Sequence, residues 1–344
     1  MYNAFMINTR GDPLGTVRNL ILSIWQDADL HALLVPTNGE PDSPYRTSLL
    51  ESSDQLNQIN PFNPIMRTNA ARMVPGLLQS YPNSRIGVLF RPCEMRALRA
   101  MGKRDGLKLD NLTTISFDCL GTYPTNEFKW RAERKGSSEA LTQETLQFAR
   151  QGGIMAYRYR GACQLCGEPH ASEADVNIGV LGLPVRQFIL LSTRDKTIND
   201  KLHLEKWSPK HADSNVLNQR VQVIARLAER RNSTRERVIQ GIADVLPTDI
   251  ESLIVHLADC GKCQACLDAC PLCMIDFPQR DEYFRYQIND IKEWLGSCSG
   301  CGMCEQACPQ HHPLTAIFSH IHKELTDDFK YSILNSPAGP LLIQ

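Results

Sequence analysis

The chain has 344 residues, with 37 Lys and Arg against 38 Asp and Glu. That length suits two or three domains, and the balanced charge argues against a general nucleic-acid-binding surface. No apolar run approaches the roughly 18 residues of a transmembrane segment, and the first thirty residues lack a basic start and an apolar core, so neither a membrane span nor a secretory signal is expected and the location reads as cytoplasmic.

Up to about residue 193 the pattern is mixed α/β. Short apolar runs at 32–35, 86–90 and 113–117 read as buried strands. Helical stretches at 16–25, 69–79, 94–101 and 138–151 separate them, and turn-formers cluster at 38–44 and 60–64. From 214 to 245 the periodicity is helical. Val216, Leu217, Val221, Ile224 and Leu227 share one face, and Arg220, Arg226, Glu229, Arg230 and Arg231 read as a solvated basic remainder. Asn232-Ser233-Thr234 ahead of Glu236 reads as a break and a fresh helix start. A cysteine-rich module follows from about 249 to 325. Within it a helix is expected over 281–295, with Tyr283, Phe284, Ile288, Ile291 and Leu295 as its apolar positions.

Cysteine usage is the outlier. Thirteen cysteines without an export signal point to metal or redox chemistry and away from disulfides. Eight of them form two copies of one run, Cys260-x2-Cys263-x2-Cys266-x3-Cys270-Pro271 and Cys298-x2-Cys301-x2-Cys304-x3-Cys308-Pro309. This is the bacterial ferredoxin run, in which the fourth cysteine ligates the other cluster. One 4Fe–4S cluster is therefore expected on Cys260, Cys263, Cys266 and Cys308, and a second on Cys298, Cys301, Cys304 and Cys270. A pair of zinc sites is the competing reading. Zinc takes four ligands tetrahedrally, and a third Cys three residues on followed by Cys-Pro is not its habit. Cys273, the ninth cysteine of the module, reads as a small buried side chain.

The other four cysteines are scattered. Cys93 follows Arg91-Pro92, Cys119 follows Asp118, and Cys163 and Cys166 are two residues apart in Gly161-Ala162-Cys163-Gln164-Leu165-Cys166. Strand ends can converge, so four thiolates gathered at one sheet edge would hold a third cluster. By spacing alone, buried small residues remain open for Cys93 and Cys119, as do zinc or a redox dithiol for Cys163 and Cys166. His170, His311 and His312 read as surface or supporting residues, and Asp259 and Asp268 as solubilising charge. No Ser/His/Asp device or paired carboxylates stand out, and no catalytic residue is assigned. No G-x-G-x-x-G follows a strand; Gly179-Val180-Leu181-Gly182 reads as a turn.

The series Pro92-Cys93 before Ala97-Leu98-Arg99, Cys119 before Gly121, and Cys163/Cys166 before Ala174-Asp175-Val176 and Ile178-Gly179 resembles the beta subunits of coenzyme F420-reducing hydrogenase and formate dehydrogenase. The C-terminal ferredoxin runs suit the formate dehydrogenase type. The resemblance implies a non-Rossmann α/β flavin domain over 1–200, a helical linker over 201–248, an α-helical two-cluster ferredoxin module over 249–325 and a tail over 326–344. It implies FAD beside a third 4Fe–4S cluster on Cys93, Cys119, Cys163 and Cys166, with Arg67, Thr68, Asn69, Arg91 and Pro92 bordering the flavin. It implies a catalytic partner, a formate dehydrogenase alpha or hydrogenase subunit, and a hydride carrier, coenzyme F420 or NAD(P). The chain departs from the family at Phe90 and Glu94, where a Gly and a Gln are usual, and has a reduced Gly-rich N-terminal segment. A flavin-free electron-wiring subunit is the alternative.

Overall fold

Seven strands pair in the order β1-β7-β6-β5-β4-β2-β3. They are β1 (Ala4–Asn8), β2 (Ala32–Glu40), β3 (Ser43–Leu50), β4 (Ile86–Phe90), β5 (Leu112–Phe117), β6 (Val176–Gly179) and β7 (Phe188–Thr193). This computed structural model describes residues 4–40, 43–152, 158–207 and 211–327. Strands β2, β4, β5 and β6 run parallel, while β3, β7 and β1 pair antiparallel at the flanks.

All five residues of β4 are buried, as a parallel strand covered on both faces requires. One face packs against Val17, Leu20 and Ile24 of the Pro13–Asp27 helix. The other packs against Ala97, Leu98 and Met101 of the Pro92–Arg104 helix. The three apolar runs expected as strands are β2, β4 and β5. The sequence reading missed β1, β3, β6 and β7. β3 interleaves polar residues at the sheet edge, and β6 has only four residues.

A helix of 29 residues, Ser214–Ile242, leaves the sheet region. It corrects two expectations. There is no break at Asn232-Ser233-Thr234, because the Thr234 hydroxyl donates to the Arg230 carbonyl at 2.9 Å and so stays satisfied inside the helix. Nor is the basic face wholly solvated: Arg231 is 3% exposed and is buried with Ile224 and Leu227. Arg220 pairs with Asp118, whose side chain is fully buried, at 2.5 and 3.0 Å.

The C-terminal module builds its core from Leu253 and Leu257, Ile291, Trp294 and Leu295, and Ile317, Phe318 and Ile321. The expected 281–295 helix begins only at Ile288. Before it, Asp281 Oδ1 accepts from the backbone of Tyr283 and Arg285, and Arg280 bridges to Tyr286, so the chain turns tightly instead of coiling. Tyr283 and Phe284, expected on the apolar helix face, are exposed in that turn. Leu272 of the module packs with Leu98 and Met101, and Arg104 Nη2 donates to the Leu272 carbonyl at 2.6 Å. Among the described residues no helix is long and apolar enough to cross a membrane. The expected tail lies, from residue 328 on, outside the described residues.

Asp118 sits one residue past the end of β5 and also accepts from the backbone N–H of Ala171, Val180 and Leu181. Burial alone would raise its carboxyl, but the Arg220 guanidinium and these amides hold it below the ordinary range. Because the folded value is lowered, its stabilisation is present above the unfolded carboxyl range and is lost as pH falls through the folded value. Arg220→Met leaves Asp118 buried and unpaired, and is expected to cost about 3–5 kcal/mol in anaerobic urea unfolding. A loss below about 1 kcal/mol would place the pair among weakly coupled surface pairs.

Candidate metal centres

Parallel pairing explains how the scattered thiols meet. β4 and β5 are neighbours, Cys93 lies three residues past β4 and Cys119 two residues past β5, so both stand at the carboxyl edge of the sheet. Open α/β sheets gather ligands at that edge. The segment before β6 brings the other pair. The Cys119 N–H donates to the Pro169 carbonyl at 2.7 Å, the Arg160 N–H to the Thr122 carbonyl at 3.0 Å, and Cys163 follows on the short Gly161–Leu165 helix, with Cys166 just past its end. Cys93, Cys119, Cys163 and Cys166 line one cavity together with Arg160, Arg231 and Cys301.

The electrostatics of this cavity are those of crowded buried thiols beside guanidinium groups. Burial, with Cys163 nearby, pushes Cys119 up to about 11. Burial, Glu94 and Cys119 push Cys93 well above the ordinary thiol range. Burial opposes ionisation of Cys163 too, but Arg160 and the Thr122 hydroxyl bring it below that range. Thr122 Oγ1 lies 3.2 Å from Cys163 Sγ, Arg160 Nη2 donates to the same sulfur at 3.7 Å, and Arg160 Nε donates to Thr122 Oγ1 at 2.8 Å. All of these cysteines are free thiols.

The eight C-terminal cysteines fall into two groups. Cys260 lies within electrostatic reach of Cys263 and Cys308, and Cys266 of Cys260 and Cys263. Cys298 is within reach of Cys301 and Cys270, and Cys304 of Cys298, Cys301 and Cys270. Cys270 thus lies near the first three cysteines of the second run, and Cys308 near Cys260 of the first. Burial raises Cys266 and Cys298 each to about 12. Cys270 instead sits at about 6, because the neighbouring Cys273 thiol bonds to it and, against the effect of burial, the Trp294 indole also does. Trp294 Nε1 donates to Cys270 Sγ at 3.4 Å. Cys273 itself is buried, as its leftover position suggested.

Three four-thiol groups suit 4Fe–4S clusters as a donor set, since thiolate is their usual ligand. Among the described residues no three His, Cys, Asp or Glu side chains stand close enough to hold a single metal ion. Cluster ligands stand around a whole cube and need not meet at one ion.

The residues expected to border a flavin are spread over one loop and the helix beside it. Arg67 and Thr68 are exposed, Asn69 is buried, and Pro92 lines the thiol cavity. The Arg91 guanidinium is buried and donates to Tyr45 Oη and to the carbonyls of Asn63 and Ile65, so it fastens the loop. The Asn63 side chain in that loop has both its amide oxygen and its nitrogen buried without a protein partner. A buried unpartnered amide is costly, and the polar edge of a flavin offers the donors and acceptors that would satisfy it.

Residues 232–312 match the family model of the 4Fe-4S dicluster domain. The F420-dependent formate dehydrogenase subunit beta of Methanocaldococcus jannaschii is 22% identical over 77% of this chain and 76% of its own length. The chain is thus similar to F420-dependent formate dehydrogenase beta subunits. The F420-dependent formate dehydrogenase 1 subunit beta of Methanococcus maripaludis is 23% identical over 59% of this chain and 58% of its own length. A chain of the F420-reducing [NiFe] hydrogenase complex from Methanosarcina barkeri shares the fold at a TM-score of 0.50 and 12% identity, covering 69% of this chain and 90% of that one. The resemblance read from the Pro-Cys, Cys-x-Gly and Cys-x2-Cys series thus holds, and so does the expectation of an oxidoreductase subunit.

Several residues around the thiols escaped the sequence reading. Asp118, Thr122, Arg96 and Arg160 are each within three residues of a cavity cysteine in the chain. Arg220 and Arg231 lie on the same helical stripe as Ile224 and Leu227, at spacings of four, three and four. Arginine on an otherwise buried stripe is the signal that was available. Gly302 marks the contact between the two parts of the chain: its φ is +66°, and a Cβ there would collide with the Ala162 side chain. Gly302→Val is expected to destabilise by roughly 2 kcal/mol or more, from left-handed strain and overpacking together, in anaerobic urea unfolding. An unchanged midpoint would remove that contact from the account.

Proposed function

We propose that this chain is the flavo-iron–sulfur subunit of a cytoplasmic, anaerobic oxidoreductase complex, holding FAD and three 4Fe–4S clusters. It connects a hydride carrier, coenzyme F420 or NAD(P), to a formate dehydrogenase or hydrogenase catalytic subunit. The observation that carries the reading is the gathering of twelve of the thirteen cysteines into three groups, with Cys301 of one group also lining the cavity of another. Similarity to F420-dependent formate dehydrogenase beta subunits over three-quarters of the chain supports the partner and the carrier.

When bound, a flavin exchanges two electrons with a hydride and iron–sulfur clusters carry electrons singly. The chain's own residues hold and insulate. Thr122 and Arg160 fix the Cys163 sulfur, Arg231 Nη1 holds the Cys166 carbonyl at 3.0 Å, and Arg235 Nη2 holds the Leu165 carbonyl at 2.8 Å. Asn63 would face the flavin, with Arg67 and Thr68 at its exposed rim and Asn69 and Pro92 toward the thiols. Met66 and Met303 pack with Cys301 and against Cys93, and so exclude water between the two thiol groups. The full engagement of Arg91 with its own loop favours, at that residue, the flavin-free wiring reading.

Anaerobically purified protein is expected to contain about twelve irons per chain, at four per cluster, and one FAD. Eight irons without flavin would leave only the wiring reading. Cys163→Ala is expected to lose about four irons while both ferredoxin signals persist in electron paramagnetic resonance. Full iron content in that variant would remove Cys163 from the ligand set. Cys308→Ser is expected to perturb the same signal as Cys260→Ser, and Cys270→Ser the same signal as Cys298→Ser; the opposite grouping would overturn the crossed ligation.

A further inference from the structure

Each thiol of the sheet-edge cavity has a guanidinium of its own. Arg160 donates to Cys163 Sγ and is 8% exposed. Arg231 is 3% exposed, lines the cavity and holds the Cys166 carbonyl. Arg96, with its side chain 15% exposed, lies within reach of Cys166 and Cys93. Arg91, 2% exposed, lies within reach of Cys119. Among the described residues four carboxylates stand near these charges: Asp118, which is paired with Arg220, Glu305, which packs against Gly161, Glu94 and Glu168. Glu94 is buried and accepts from the backbone of Arg91 and Ala70, and Glu168 is largely exposed beside Arg96.

The other two groups are poorer in positive charge. Around Cys298, Cys301, Cys304 and Cys270 the donors to sulfur are neutral: the Trp294 indole at 3.4 Å and the Gly300 backbone N–H at 3.5 Å. Arg96 and Arg160 are shared with that group, Arg96 Nε donating to the Ser299 carbonyl at 3.2 Å and Arg160 Nη1 to Gln306 Oε1 at 3.1 Å, whereas Arg91 and Arg231 face the cavity alone. Beside Cys260, Cys263 and Cys266 the guanidinium is Arg280, which donates to the carbonyls of Gly261 and Cys263, and Asp259 adds negative charge.

A cluster held by four thiolates is an anion, and reduction by one electron makes it more negative. Nearby positive charge and hydrogen bonds to sulfur favour the reduced form and raise the potential. Burial disfavours added negative charge, but it acts on the Cys298 group as well as on the cavity, so it does not separate those two. The distribution of arginine does.

Resting on the three-cluster reading above, we infer that the cluster on Cys93, Cys119, Cys163 and Cys166 has the highest reduction potential of the three, set by the four arginines around it, three of them buried. Electrons entering the chain from either end collect there first. Arg160 and Arg231 are positioning residues for that potential.

The test is a redox titration of the anaerobically purified, fully loaded chain with dithionite and mediators, followed by electron paramagnetic resonance. The cavity signal is identified as the one missing in Cys163→Ala. It is expected to be the first to appear as the potential is lowered. Arg160→Met and Arg231→Met should each cut its reduced-to-oxidised ratio at fixed potential about tenfold, equivalent to ~59 mV for one electron. The ferredoxin signals should move less, and Arg160→Lys should recover most of the change. If Arg160→Met does not load iron, Arg231→Met carries the test, since its contact is with a carbonyl and not with a sulfur. First appearance of a ferredoxin signal overturns the ranking, as does an equal shift, or no shift, of all three signals in the arginine variants. Eight irons in the wild-type chain overturn the three-cluster reading itself, and the ranking falls with it.

Discussion

The buried pair of Asp118 with Arg220 is the contact on which the rest of the arrangement depends. Asp118 follows the central strand β5 and gathers three backbone amides from the segments around β6 as well as two guanidinium bonds. A buried carboxylate without such partners would cost several kcal/mol. With them, it fixes the loop that presents Cys119 and also fixes the long Ser214–Ile242 helix against the sheet edge. One side chain therefore sets both the thiol cavity and the direction in which the chain leaves it.

That direction has consequences further along the helix. Arg231 and Arg235 lie three and four turns beyond Arg220 by helical spacing, about 1.5 Å of rise per residue. They close the carboxyl end of the short Gly161–Leu165 helix by taking its free carbonyls. The same helix then delivers the C-terminal module to the Pro92–Arg104 helix, where Leu272 and Arg104 complete the contact. Gly302 can approach Ala162 only because it has no side chain. In this way the second ferredoxin run comes to share a wall with the sheet-edge thiols.

Much of this was legible in the sequence, and the reasons are physical. The ferredoxin runs are local: the ligand pattern is written in consecutive residues, so spacing alone carries it. β2, β4 and β5 were legible because strands buried on both faces must be continuously apolar. The edge strands were not, because β3 mixes polar and apolar residues like a loop. The 281–295 helix was misjudged at its start because Asp281 offers the backbone a tighter alternative, and a carboxylate that satisfies two amides in a turn outweighs weak apolar periodicity. The scattered thiols lay between these cases. Their types and order suggested a family, but only the parallel pairing of β4 with β5 explains why Cys93 and Cys119 meet. The arginines were read as solvent-facing charge because charge on a helix usually is, and their partners, Asp118 for Arg220 and the Cys166 carbonyl for Arg231, are distant in the chain.

Cys270 of the first ferredoxin run lies near Cys298, Cys301 and Cys304 of the second. Crossed ligation, with each run's fourth cysteine serving the other run's loop, would leave neither loop able to shift without disturbing both groups. Cys270 bonds to Trp294, whose ring packs edge-on against Phe318 at 5.1 Å, so that thiol is also tied to the core of the module. The group holding Cys301 is then fixed on two sides, by the apolar core behind it and by Arg160 and Ala162 in front. A relay needs fixed spacing between its carriers more than it needs any reactive side chain. The chain supplies fixed spacing through the buried Asp118–Arg220 pair, the close Gly302–Ala162 contact and shared apolar walls.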